Sequence, residues 1–528
     1  MSDPTESRQP AMWSEVELPP QPDPSPVASQ PQPSPQPRLQ PINRNQLVLR
    51  TVDVEKLVEA DHLVRAIWEL VGRLDLSGYT AEVKSVAGVA GRPTYDPRLL
   101  ISMWVYAYSQ RISSARELER RCPYDPALQW LTGMDVVNHH SLADFRVEHA
   151  QALDKLFAQV LAALRSEGLI DSEGVVVHDG TKVAAWASGK SFHREETLRA
   201  HLEAARQRVQ EMGDPGQEEC SRGAAAARAR AAREEMERLV LALQEIQKVQ
   251  AAPQAKAEPG ERRASETEPE ARIMKESNGG CGPCHNVQIS TDPAQGIIVA
   301  ASVTQACNDQ HEVVPAIEEI KRQTGQAPEH LVVDEGYTTR ENILQAADLG
   351  VDLIGGGMEP NAQAVARRLQ KRGIDPAFYP DKFPYDAASD TCRCPQGKPL
   401  AYETTKRDRV GVERRVYKAA AKDCRQCAFR QFCKPGQAGR RIQRSQNVPL
   451  VAEYVAKMQT PAAQDLYRLR GPVAEFSNLW LKSKLGLWQF CVRGLPKVRC
   501  ELLWACLTYN IQQWFRLRWK VRLQPVEA

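Results

Sequence analysis

The chain has 528 residues, enough for about three domains at ~100–200 residues each. Hydrophobic residues make up 42% and charged residues 26%, which excludes a wholly disordered polymer and fits packed globular cores. With a net charge of only +3, a nucleic-acid partner would have to be met by local clusters of Lys and Arg.

No run of ~18 or more apolar residues occurs, so no transmembrane helix and no membrane partner are expected. The opening MSDPTESRQP lacks the basic start and apolar stretch of a signal peptide, and a cytoplasmic location is expected. In that compartment the thirteen cysteines point to metal ligands and free thiols more than to disulfides.

Residues 1–45, with PQPDPSPVASQPQPSPQPRLQP, form a Pro/Gln-rich arm too poor in apolar surface to fold. Residues 46–170 carry helical periodicity. Leu63, Ile67, Leu70, Val71 and Leu74 share one face, Pro97 opens a second helix, and Ser114 and Pro126 begin two more. Ser141 is expected to cap a long helix that Gly168 closes. Arg111, Arg116, Arg120, Arg121 and Arg146 suit a DNA-binding bundle, although a solvated basic face would look the same.

The period then changes. GVVVHDG is a short β-branched run with KVAAWAS as a candidate hairpin partner. Residues 195–272 are rich in Ala, Glu, Arg and Gln and are expected to be a helical or coiled-coil insertion. HNVQIST and GIIVAASVT flank the turn DPAQG as a hairpin. A helix near Val313–Thr324, the strand LVVDEGY, the helix TRENILQAADLG and the strand VDLIGGG follow. This order predicts an α/β core with hairpins first and crossovers later, made of residues 171–360 plus 445–516. Residues 380–440 are cysteine-rich, and the chain beyond 450 returns to helix with Trp480, Trp488, Trp504 and Trp514.

Asp179 and Asp334 each follow a short apolar strand, where a carboxylate can be held on a rigid scaffold over a cleft. Carboxylates from different strands are what hard Mg2+ ions use, and an ordinary loop aspartate gives the same local pattern. In YRLRGPVAEFSNLWLK, Glu475 and Lys482 lie seven apart, two turns along one helical face. They could complete a metal site and hold a phosphate, or form a surface pair. Cys394, Cys424, Cys427 and Cys433 make a CxxC with two further thiols, a pattern for tetrahedral Zn2+ in which Cys392 is a rival first ligand. Cys281 and Cys284, beside His285, could be a metal half-site or a redox pair, and ordinary thiols give the same pattern. Asn308, Asp309 and His311 are candidates near the site. Basic residues cluster at Arg440, Arg441 and Arg444 and again at Arg493, Lys497, Arg499, Arg516, Arg518 and Lys520, with Trp and Tyr interleaved in the C-terminal cluster.

Several ordered stretches resemble the DDE transposases of bacterial insertion sequences, in the group with an InsH-like helical N-terminal domain. They are GRPTYDPRLLISMWVYAYSQRISSARELERRC, HHSLADFRVEH, VVHDGTKVAA, VVDEGYTTRENI and VAEFSNLWLKSKLGLWQFCVRGLPKVRCELLWACLTYNIQQW. The resemblance implies an RNase H-like core and a catalytic triad of Asp179, Asp334 and Glu475. That triad would bind two Mg2+ (or Mn2+) ions, with a zinc-ribbon-like insertion at 380–440 holding structural Zn2+. It also implies double-stranded DNA partners, the terminal inverted repeats and the target. Arg116, Arg146, Arg470, Lys482, Arg493 and Lys497 are candidate DNA contacts, and a nucleoid-associated homodimer is expected. Glu475 falls five residues after Arg470, where many relatives have four, with Gly471 and Pro472 between. If Pro472 starts the helix, Arg470 lies before it and need not share the face of Glu475. The alternatives are a catalytically decayed DNA-binding protein and a metal-dependent nuclease without strand transfer.

Overall fold

The structure, a computed structural model, describes residues 45, 47, 49, 51–81, 83, 93–171, 174–213, 222–251, 262–276, 279–356, 362–407, 413–445 and 449–523. Residues up to Val52 are a unit apart from Asp53–Ala528, and the Pro/Gln-rich arm lies, except for Asn45, outside the described residues.

The first part of the larger unit is helical as expected. Leu63–Val71 buries Val64, Ile67, Leu70 and Val71 on one face. Pro97 stands at the start of Pro97–Ser109, where its missing N–H costs nothing, and Asp96 caps the helix by accepting from the Arg98 amide. Ser114 and Asp125 cap Ala115–Arg121 and Pro126–Thr132 in the same way. The expected long helix begins earlier, because the Asn138 side chain accepts from the Ser141 amide. It also breaks at His149 into His139–Glu148 and Ala150–Ser166.

The central sheet is built from β1 (Val175–Ala184), β4 (Arg272–Lys275), β5 (Cys281–Asp292), β6 (Ile297–Thr304), β7 (His330–Val333) and β8 (Asp352–Gly355). Two short strands, β2 (Phe192–Arg194) and β3 (Arg263–Ser265), pair with each other outside it. β5 pairs antiparallel with β1 on one edge and with β4 and β6 on the other, whereas β7 and β8 run parallel to β1. The sheet order is therefore β6–β5–β1–β7–β8, with β4 extending the β6 edge. The turn between β5 and β6 uses Gly296 at φ 69°, a conformation glycine adopts without a Cβ clash.

GVVVHDG and KVAAWAS do not form a hairpin. They merge into the single strand β1, which is long enough to meet β7 at its start and β5 along most of its length. The insertion consists of the helices Glu195–Gly213 and Arg222–Ala251 on a neck made by β2 and β3. Leu198, Leu202 and Ala205 from the first helix pack on Leu239, Ala242 and Ile246 from the second. The cysteine-rich segment is larger than a small ribbon: five antiparallel strands between Tyr385 and Ser445, with two short helices, Ala421–Arg425 and Arg430–Cys433.

Leu495–Trp514 is buried on nearly every side, with the polar Glu501, Thr508, Asn510 and Gln513 among its buried residues. It packs on both the N-terminal helices and β6, and Trp504 Nε1 donates to the Arg146 carbonyl at 3.0 Å. One hydrophobic core thus runs from the N-terminal helices through the sheet to the C-terminal helices. Among the described residues no helix is long and apolar enough to cross a membrane.

Candidate active site

Parallel pairing brings the two aspartates together. Val177 of β1 lies opposite Val332 of β7, and two residues further along each strand stand Asp179 and Asp334. Neighbouring strands lie ~4.8 Å apart, so the two carboxylates leave the sheet side by side. β7 ends at Val333, and Asp334 turns the chain into a 3-10 turn by accepting from the Glu335 amide at 2.8 Å. Asp179 stays in the strand. Its carboxyl is pushed up to about 6, first by burial and then by the charges of Asp334 and Asp309, against the lowering influence of the Gly180 amide and Arg470. Burial combined with neighbouring negative charge is a demand for a cation.

The third group comes from the helix Arg470–Leu479. Its first residue, Arg470, places a guanidinium 3.7 Å from the Asp334 carboxylate. The helix begins two residues before Pro472, which is tolerated in the first turn, so the shifted arginine reaches the site after all. Asn478 donates to Asp179 Oδ2 at 3.2 Å. Glu475 lies one turn before Asn478 on the same helix, exposed, and its carboxylate has no hydrogen bond or ion pair among the described residues. Beyond Leu479 the helix widens into a π-helical turn, Trp480–Lys484. Within that turn the half-buried Lys482 donates to the Lys182 carbonyl of β1 at 2.9 Å and lies 5.6 Å from the Trp488 ring. Burial lowers its pKa.

Below the aspartates lies a polar network of which the sequence reading named only Asp309. Tyr337 OH donates to Gln288 Oε1 at 2.6 Å, and His178 Nε2 is 2.9 Å from the same oxygen. Burial holds His178 down at about 4, so the ring is neutral and can donate from one nitrogen while accepting from Ser290 at the other, 2.9 Å away. Asp309 Oδ1 accepts from Asn286 at 2.7 Å, Gln288 at 2.9 Å and Lys182 at 3.3 Å. Gly180 is required here, because a Cβ would come within 2.8 Å of Asp309, Tyr337 and Gln288 side chains. The signal was present in HNVQIST, where Asn286, Gln288 and Ser290 alternate with Val287 and Ile289 although all five are buried. A polar face inside a core implies partners for it.

The other candidates divide. Arg116, Arg493 and Lys497 are exposed. Arg146 is not available to a phosphate: it is 8% exposed, lies over the Trp104 ring and donates to the Ser113 carbonyl, with Glu501 as its buried counter-charge. Arg499 faces Asp154 and Glu319, Lys520 faces Asp61, and Arg518 donates to the Glu167 carbonyl, so much of the C-terminal basic cluster serves packing. Arg441 is held by Glu403 through two 2.7 Å bonds, and Arg444 covers Tyr385.

Cys394, Cys424, Cys427 and Cys433 line one cavity with Phe378 and Phe383, and Cys392 is buried in the small sheet's core, against which Cys394 and Cys424 pack. Burial and the three neighbouring thiols raise the pKa of Cys433. The Lys398 amide donates to Cys394 Sγ at 3.3 Å and the Arg440 amide to Cys424 Sγ at 3.4 Å, contacts that favour thiolates. No three of the four sulfurs lie within 4.8 Å of one another.

Two family models match the chain. Transposase domain (DUF772) covers residues 52–148, the N-terminal helices, and Transposase DDE domain covers residues 393–515, which include Glu475, Lys482 and the four cysteines. Neither reaches residues 149–392, where both aspartates lie. No curated protein matches the chain. Transposases act on DNA, and a DDE domain implies dependence on a divalent metal. The two matches, at either end of one continuous core, support a DDE transposase of an insertion sequence.

Proposed function

We propose that the protein cuts the ends of its insertion sequence and joins them to target DNA, with Asp179, Asp334 and Glu475 as the metal-binding triad on an RNase H-like core. The observation that carries this reading is the parallel pairing of β1 and β7 that sets Asp179 beside Asp334, with the Arg470–Leu479 helix laid against them. Three antiparallel strands followed by two parallel ones, in the order β6–β5–β1–β7–β8, support the RNase H-like assignment. The donor set is all oxygen and fits a hard ion. Two Mg2+ (or Mn2+) ions bound there would activate the attacking water or 3′-hydroxyl and stabilise the leaving 3′-oxygen.

Each residue has a separate task. Asp179, fixed within β1 and bonded by Asn478, is the rigid ligand. Asp334 shares its charge with Arg470 until the metal arrives, and Glu475 is free to close on the site. The polar network under Gly180 holds β1, β5 and Tyr337 in register, so the two aspartates keep their spacing. Arg116, Arg493 and Lys497 are surface cations for DNA phosphates, and Lys482 fixes the helix to β1. The four cysteines share one cavity and would have to draw together on a Zn2+ ion to brace the five-stranded insertion. Joining two ends to one target needs two such sites, which a homodimer supplies.

Asp179→Asn should reduce Mg2+-dependent nicking of end-containing DNA to background while end binding stays within about twofold in a gel-shift assay. Nicking at the wild-type rate by Asp179→Asn would remove Asp179 from the site. Arg470 lies 3.7 Å from Asp334, so its shifted spacing lends no support to the reading of a decayed enzyme.

A further inference from the structure

At the neck of the helical insertion three side chains from three elements converge. His193 comes from β2, His201 from the second turn of Glu195–Gly213, and Glu266 from the residue after β3. His201 Nδ1 lies 2.8 Å and His193 Nε2 3.5 Å from the two Glu266 oxygens, and one donor atom from each residue falls within 4.8 Å of the others. Ligands held ~2.0–2.2 Å from a tetrahedral ion sit about 3.3 Å apart, so these separations bracket those of a bound metal. The 3.5 Å contact is too long for a good hydrogen bond, so Glu266 does not fully satisfy His193 as the cluster stands.

The backbone around the cluster is fixed. His193 pairs with Ala264 across β2–β3. The Glu266 amide donates to the Ser191 carbonyl at 3.0 Å. Ser265 Oγ accepts from the amides of Thr267 and Glu268 at 3.1 and 3.0 Å and lies 2.8 Å from Ser191 Oγ. All three ligand side chains are partly open to solvent, so an ion can enter without unfolding the neck.

From this juxtaposition we propose that His193, His201 and Glu266 bind a divalent first-row transition ion, Zn2+ or a close relative. The site is separate from the catalytic carboxylates and from the four cysteines. Two imidazoles and one carboxylate favour such an ion over Mg2+ and leave a position for water. The ion ties both strands of the neck to the first helix and so sets the angle at which the insertion leaves the core.

The test uses the full chain loaded with Co2+ and freed of excess metal. Thiolate-bound cobalt shows sulfur charge-transfer absorption, whereas a site of nitrogen and oxygen does not, so the cysteine site can be followed in the same sample. A His193→Ala/His201→Ala variant should hold one equivalent per chain less than wild type, with the sulfur band unchanged. Glu266→Gln, which keeps the size and hydrogen-bonding capacity of the side chain, should weaken that equivalent at least about tenfold. If the double variant fails to fold by circular dichroism, Glu266→Gln decides alone. Equal stoichiometry and affinity in wild type and folded variants would overturn the site and leave a hydrogen-bonded His–Glu–His cluster.

Discussion

At Asp179, burial and two neighbouring carboxylates act against one guanidinium and one backbone amide, and the burial wins. A carboxyl whose pKa rises on folding, here from 3.8 to about 6, holds its proton more tightly in the folded state. Its contribution to stability is therefore complete below about pH 4 and is lost as pH rises through about 6. Asp179→Asn, neutral throughout, should be more stable than wild type by about 1–3 kcal/mol in EDTA at pH 8 and no more stable at pH 4. Denaturant titrations at the two values check this; an equal effect at both would contradict it. The same charge balance predicts that cleavage falls on the acid side near pH 6. Arg470→Ala removes a lowering influence and should move that limb upward, whereas Arg470→Lys should restore much of it, read from pH–rate profiles. Asp179, Asp334 and Glu475 were legible as candidates from strand ends and from the family resemblance. Asn478, Gln288 and Tyr337 were not, because their roles depend on which strands become neighbours, and no local spacing encodes that.

Elements whose start signal is local were read well. Pro97 and Ser114 are examples, since a cap needs only the next few residues. Elements that depend on distant partners were misread. GVVVHDG and KVAAWAS suggested a hairpin, yet they form one continuous strand in which Gly180 leaves room for Asp309, Gln288 and Tyr337. Pro472 suggested a helix start, yet Arg470 precedes it in the same helix. The cysteine spacing pointed to a compact site, and the chain adds a five-stranded sheet around it. If Zn2+ braces that sheet, a Cys394→Ser/Cys424→Ser variant should lose one bound Zn2+ and become cleavable by protease within residues 380–440 at concentrations that spare the wild type. Unchanged zinc content, measured by mass spectrometry of the metal, would count against the cysteine site.

Across the whole molecule a shared core joins the N-terminal helices to the sheet through Leu495–Trp514. Trp504 is 1% exposed and bonds back to the Arg146 carbonyl in the helix His139–Glu148. Trp504→Ala should cost about 3–5 kcal/mol and should lower the protection of the N-terminal helices and of β6 together in hydrogen exchange. Loss confined to one of them would mean the two regions fold independently. In the proposed function this common core couples the helices that carry Arg116 to the strands that carry the aspartates.

The most direct measurement is a combined cleavage and strand-transfer assay. It uses the full protein, labelled DNA carrying the element's own terminal repeats, Mg2+ or Mn2+, and an Asp334→Ala control. The account predicts nicks at the repeat ends and joined products, both absent from the control. Specific end binding with no cutting, or cutting that Asp334→Ala leaves intact, would contradict it.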